Sequence, residues 1–149
     1  MAWSTLTEAQ IEDILSEAEL GTLKDFLSAS QTNPVPGTLS NAVHQVRGYI
    51  RANRQNRLGD GDTVPDTLVS ATLVLARHQL LGRLPVGSLL TDARRREYED
   101  AMSLLRDVAS GRFGVERPDT ATAESTPGPA ISVANKNTRI ATRQKLSGL

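Results

Sequence analysis

The stretch VPDTLVSATLVLARHQLLGR, residues 64–83, decides the fold. Leu68, Val69, Leu73, Val74, Leu75, Leu80 and Leu81 cover most of the circumference of a helix running from about Asp66 to Leu81. A helix that is apolar nearly all round belongs at the centre of a bundle. On one side it is bounded by LGDGDTVP, residues 58–65, where Asp-Gly turn signals and a proline break any helical pattern. On the other side, Gly82 to Leu90 reads as a loop around Pro85.

Working outward, the elements on both sides read as amphipathic helices. Leu39, Val43, Val46 and Ile50 recur at spacings of 4, 3 and 4, which predicts a helix from Thr38 to Asn53. Arg47, Arg51 and Arg54 follow the same spacing and stack on another face of it. The preceding QTNPVPGT, residues 31–38, reads as a loop because of its two prolines and glycine. Nearer the N-terminus, Thr5-x-x-Glu8 has the form of a capping box, followed by Ile11, Ile14 and Leu15 on one face. Ser16 caps a second helix, with Glu17 and Glu19 in its first turn and Leu20, Leu23, Phe26 and Leu27 as its apolar positions. Towards the C-terminus, Thr91 caps the last strong helix, whose buried face is Tyr98, Ala101, Met102, Leu105 and Val108. Gly111 stands where a left-handed residue would end it.

After Phe113 the composition changes. Residues 114–149 lack aromatics and are dominated by Pro, Thr, Ser and Ala. Such a segment buries too little apolar surface alone to offset its ordering entropy. It is read as an arm, either disordered or ordered on a partner, and its runs AISVA and TRIATRQKL suit an added strand. The expected fold is all-α: a small bundle of about five helices over residues 1–113, followed by a long extended or partly disordered C-terminal arm over residues 114–149.

Lys+Arg and Asp+Glu balance at 17 each, so the average charge selects no partner. The distribution is uneven. The first 25 residues are acidic, and the last 20 carry Lys136, Arg139, Arg143 and Lys145 with no Asp or Glu. Opposite ends of this kind suit head-to-tail contact between copies, as they suit two solvated surfaces. The start of the chain has neither the basic nor the apolar region of a signal peptide, and no apolar run approaches the ~20 residues needed to span a bilayer. The reading is a soluble, non-secreted chain that contacts no membrane.

Residues that would carry catalysis are missing. There is no cysteine, hence no thiolate nucleophile and no Cys-based zinc site. His44 and His78 lie on different helices; His44 is expected to be solvated and His78 to be satisfied at a helix interface. Asp60, Asp62 and Asp66 imitate the start of a calcium loop, but Ala71 stands where its closing Glu belongs, so an Asp-Gly turn is the better reading. No phosphate-binding glycine loop occurs, and Ser110-Gly111 follows a helix rather than a strand, so it is no nucleophile elbow. Glu97, Glu99 and Asp100 have Arg94, Arg95 and Arg96 at helical pairing distance. Neither an enzyme nor a bound cofactor or metal is expected. Arg47, Arg51, Arg54 and Arg57 are candidates for contact with nucleic-acid phosphates, although aromatics for base stacking are scarce.

One order of motifs carries a resemblance. Pro65, Leu68, Ala76, Arg77 and Leu80 are followed by Glu97, Tyr98, Ala101, Leu105, Val108, Ala109 and Gly111. This order, with TLTEAQIEDIL and VRGYIRANR before it, resembles the small head–tail connector (adaptor) proteins of tailed bacteriophages, including those of Mu-like prophages. The similarity covers residues 5–113. The sequence departs from that pattern at RLGDGDTVP, which lacks the aromatic-Pro-Leu segment common after the arginine-rich helix.

The resemblance implies a structural virion protein at the capsid vertex, assembled in the host cytoplasm. It implies a homo-oligomeric ring, of about twelve copies, closed by side-by-side packing beneath the portal protein. A downstream neck or tail-completion protein would dock below, and packaged double-stranded DNA would be contacted non-specifically. Arg47, Arg51, Arg54 and Arg57 then become lumen or subunit-interface candidates. Ile131, Val133, Lys136, Arg139, Ile140, Arg143 and Lys145 become arm residues that meet the portal or a neighbouring subunit. The competing class is a small helical DNA-binding or regulatory protein, and a third is a chaperone-like interaction module.

Overall fold

The computed structural model describes residues 3–30 and 32–119. The elements run β1 (Trp3–Thr5), α1 (Glu8–Ile14), α2 (Glu17–Ala29), α3 (Val35–Ala52), β2 (Thr63–Pro65), α4 (Val69–Leu81) and α5 (Asp92–Ser110). Single 3-10 turns at Asp66–Leu68 and Gly87–Leu89 lead into α4 and towards α5. The described residues thus form a five-helix bundle with one small two-stranded ribbon.

α4 is the central helix, packed against α1, α3 and α5. Leu75, Ala76 and Leu80 are wholly buried, as is Leu68 just ahead of the helix. A fully buried leucine contributes about 1.5–3 kcal/mol relative to an exposed one, so this helix carries much of the stability. Its buried hydroxyl is satisfied locally: Thr72 Oγ1 donates to the Leu68 carbonyl at 2.8 Å.

α3 buries the expected stripe of Leu39, Val43, Val46 and Ile50, joined by Val35, Thr38 and Ala42. It starts earlier than the composition of residues 31–38 predicts. Asn33 Oδ1 accepts from the Val35 amide at 3.0 Å, and Pro36 occupies the first turn. A proline there loses nothing, because first-turn amides have no intrahelical acceptor. The prolines that read as loop residues are therefore helix starters.

The N-terminal cap also differs from the sequence expectation. Thr5 is the last residue of β1, and the helix is entered from Thr7, whose amide donates to Gln10 Oε1 at 2.9 Å. α2 begins as read: the Ser16 amide donates to Glu19 Oε2 at 2.7 Å, and Ser16 Oγ accepts from the Glu19 amide. α5 is capped by Thr91, and its face of Ala101, Met102, Leu105 and Val108 is buried, with Tyr98 half-buried. Gly111 ends it at φ +81°, a conformation that costs a residue with a Cβ about 1–2 kcal/mol.

The ribbon is the part that helical periodicity does not show. β1 and β2 pair antiparallel in the register Trp3↔Pro65, Ser4↔Val64, Thr5↔Thr63. The Trp3 ring lies so close to Gly59 that a Cβ there would sit 2.8 Å from it. Trp3 Nε1 donates to the Glu116 carbonyl at 2.9 Å, Pro118 is buried, and Phe113 and Val115 pack on the core. The chain after Gly111 therefore returns to the N-terminal strand, and residues 114–119 are part of the described body.

Candidate functional site

The arginine row divides in two. Arg47 is half-buried, and its guanidinium donates to the Thr63 carbonyl at 2.6 Å and the Gly59 carbonyl at 3.0 Å. It clamps the loop that returns from α3 into β2, and its donors are used inside the molecule. Arg51, Arg54 and Arg57 are exposed. Helical spacing places Arg47 in a row with Arg51 and Arg54, but only the folded loop reveals that Arg47 is spoken for by two carbonyls. The ends of α3 and α5 meet, because a Cβ on Gly111 would lie 3.2 Å from Asn53 Nδ2. Arg112 follows directly, 80% exposed and 3.6 Å from Asp107. Exposed arginine side chains from two helix ends thus share one end of the bundle.

A partly buried ion network, only one link of which helical spacing shows, joins α2, α4 and α5. Arg94 Nε and Nη2 donate to the two carboxylate oxygens of Glu19 at 2.9 and 3.1 Å. Arg94 Nη1 also donates to Glu97, at 3.2 Å. Glu97 in turn pairs with Arg77, which donates its other terminal nitrogen to the Ile14 carbonyl at the end of α1. The side chains of Glu19 and Arg77 are only 4% and 8% exposed. Burial alone pushes Glu19 upward, but bonds from Ser16 and the Arg94 guanidinium outweigh it and hold its carboxyl below the usual value. Burial and the Arg94 charge lower Arg77, opposed by Glu97 and Glu19. Arg94 is raised: burial works against its charge, and the two carboxylates override that. The pairing of Glu97 with Arg94 was legible from helical spacing; the bridges to Glu19 and Arg77 required the tertiary fold.

The two histidines do different things. His44 is exposed, with Nε2 3.5 Å from Asp62 Oδ1. His78 stacks on Tyr98 across the α4–α5 contact, with centroids 4.0 Å apart and planes inclined by 19°. Burial, then the Arg95 charge, lowers its pKa. Among the described residues no three His, Asp or Glu side chains converge as a metal site, and no helix is long and apolar enough to cross a membrane.

A groove runs along α4. Its two adjoining hollows, of about 570 and 330 Å³, share Ser70, Val74 and Glu97. Ile14, Leu73 and Leu104 supply further apolar walls, and Asp66 and Asp100 stand among the lining residues. The arm candidates Ile131, Val133, Lys136, Arg139, Ile140, Arg143 and Lys145 lie outside the described residues.

The motif residues are mostly packing residues. Pro65, Leu68, Ala76, Leu80, Ala101, Leu105 and Val108 are buried. The two charged members, Arg77 and Glu97, pair with each other. A family model described as Bacteriophage Mu, Gp36 matches residues 6–134. No curated protein and no solved structure matches the chain.

Proposed function

The chain belongs to the bacteriophage Mu, Gp36 family, and on that premise we propose that it is a head–tail adaptor. In this reading it is a structural virion protein. Copies close into a ring beneath the portal, join the capsid to the neck and tail, and help retain packaged DNA.

The observation that carries the reading is the family match itself, which spans every helix of the bundle and continues beyond it. The surface chemistry supports it. Arg51, Arg54 and Arg57 are free of the structural duty that Arg47 performs. Repeated around a ring, three exposed arginines per copy form a positive band suited to phosphates. The balanced formal charge lets identical copies pack side by side without strong net repulsion.

Electron microscopy of the purified protein, alone and with the portal protein of the same phage, tests the proposal. Closed rings that stack on the portal are expected. A monomer that ignores the portal yet shifts duplex DNA in a salt-dependent manner would favour the small DNA-binding or regulatory reading instead.

A further inference from the structure

We infer that the groove along α4 is the seat for residues 131–145 of a second copy of this chain. The inference rests on the ring reading and specifies a contact between its subunits.

Charge complementarity is the first observation. Residues 1–119 hold 16 acidic and 13 basic side chains, a net −3, while residues 130–149 carry four cations and no anion. The groove presents Asp66 and Asp100 beside its apolar walls. Glu97, between them, is already engaged by Arg77 and Arg94. Ile131, Val133 and Ile140 offer apolar side chains to Val74, Leu73 and Leu104. Lys136, Arg139, Arg143 and Lys145 offer cations to the rim. All four cations lie beyond residue 134, where the family match stops.

Chain length is the second. The described body ends at Asp119, next to the Trp3–Glu116 bond, and Trp3 pairs with Pro65, which precedes the groove residue Asp66. The chain therefore leaves the body near the Asp66 end of its own groove. From Asp119 to Ile131 an extended chain spans up to ~40 Å. A body of this size is roughly 35 Å across. At full extension the tether reaches across a body of this size to the same groove on an adjacent copy, where the contact would link two subunits of the ring. Such a head-to-tail contact closes into a ring if the rotation between copies allows it.

The absence of cysteine makes a clean test available. Full-length Ser70→Cys and Ile140→Cys proteins are mixed and mildly oxidised. Ser70 is exposed and lines both hollows, so the change is nearly isosteric. A mixed disulfide dimer is expected, well above that formed by Ser28→Cys on α2 with Ile140→Cys. Adding Asp66→Lys and Asp100→Lys to the groove copy should lower the yield about fivefold, as two rim charge pairs predict. Lys136→Glu with Arg139→Glu on the other copy should restore it. A yield no higher than the Ser28→Cys control would overturn the inference. So would a disulfide confined within single chains of the Ser70→Cys/Ile140→Cys double variant. Rings seen without the intermolecular disulfide overturn the groove contact and leave the adaptor reading standing. The intermolecular disulfide without rings upholds the contact and counts against the ring.

Discussion

Arg77 enters the core from α4 with 8% of its side chain exposed, whereas its partner Glu97 is 45% exposed. That asymmetry governs what each loss costs. Glu97→Ala leaves a nearly buried guanidinium with only the Ile14 carbonyl as hydrogen-bond partner, and because Glu97 itself is half-exposed the loss is about 1.5–3 kcal/mol, short of that for a fully buried pair. Arg77→Met leaves Glu97 with Arg94 and water, and should cost less than half of that. Denaturant melts of the two variants check the order; equal losses would show that the pair is not buried in solution. In sequence terms Arg77 and Glu97 are single charged residues on two amphipathic helices. Their bond could not be read there, because neither helix period reveals which turn of one faces which turn of the other.

At the scale of elements, α2 is the instructive case. Leu23 is its buried apolar residue, while Leu20, Phe26 and Leu27 are half-buried. The Glu19–Arg94 bridge supplements that thin apolar contact. Glu19 has a folded pKa below its unfolded one. The stabilisation is therefore complete above the unfolded value, about 4.5, and lost as pH falls below it through the folded value. Hydrogen exchange of the α2 amides should speed up there before the amides of α4, and Glu19→Gln should already show fast exchange at neutral pH. Unchanged α2 protection in that variant would argue that Leu23 and its neighbours suffice. The caps Ser16 and Thr91 and the stop at Gly111 were legible, since each needs only local chemistry. Thr5 misled because strand pairing with Thr63, remote in sequence, claims it first. Pro34 and Pro36 misled because a proline forbids a helix interior and favours a helix start, and the choice depends on whether Val35 and Thr38 are buried.

For the whole molecule, the division of the arginines makes a functional prediction. Arg47→Gln should lower stability by about 1.5–3 kcal/mol by removing charge-assisted bonds to two carbonyls. Arg51→Gln, Arg54→Gln and Arg57→Gln together should leave the melting temperature nearly unchanged. In the adaptor reading the triple variant nevertheless impairs DNA retention or ring assembly. Particles carrying it with normal ring formation and normal DNA content would remove these arginines from the lumen. Periodicity and capping signals were enough to identify five helices, a central α4 and the helix stop at Gly111, because those depend on the order of residues within one turn or two. Contacts between segments far apart in the chain required the folded chain: the ribbon of Trp3–Thr5 with Thr63–Pro65, the Arg47 clamp, the Glu19–Arg94–Glu97–Arg77 network and the groove along α4. A helical stripe states that a face is buried; what that face meets is set by how the helices pack, and there a polar side chain becomes a clamp, an ion pair or a free surface.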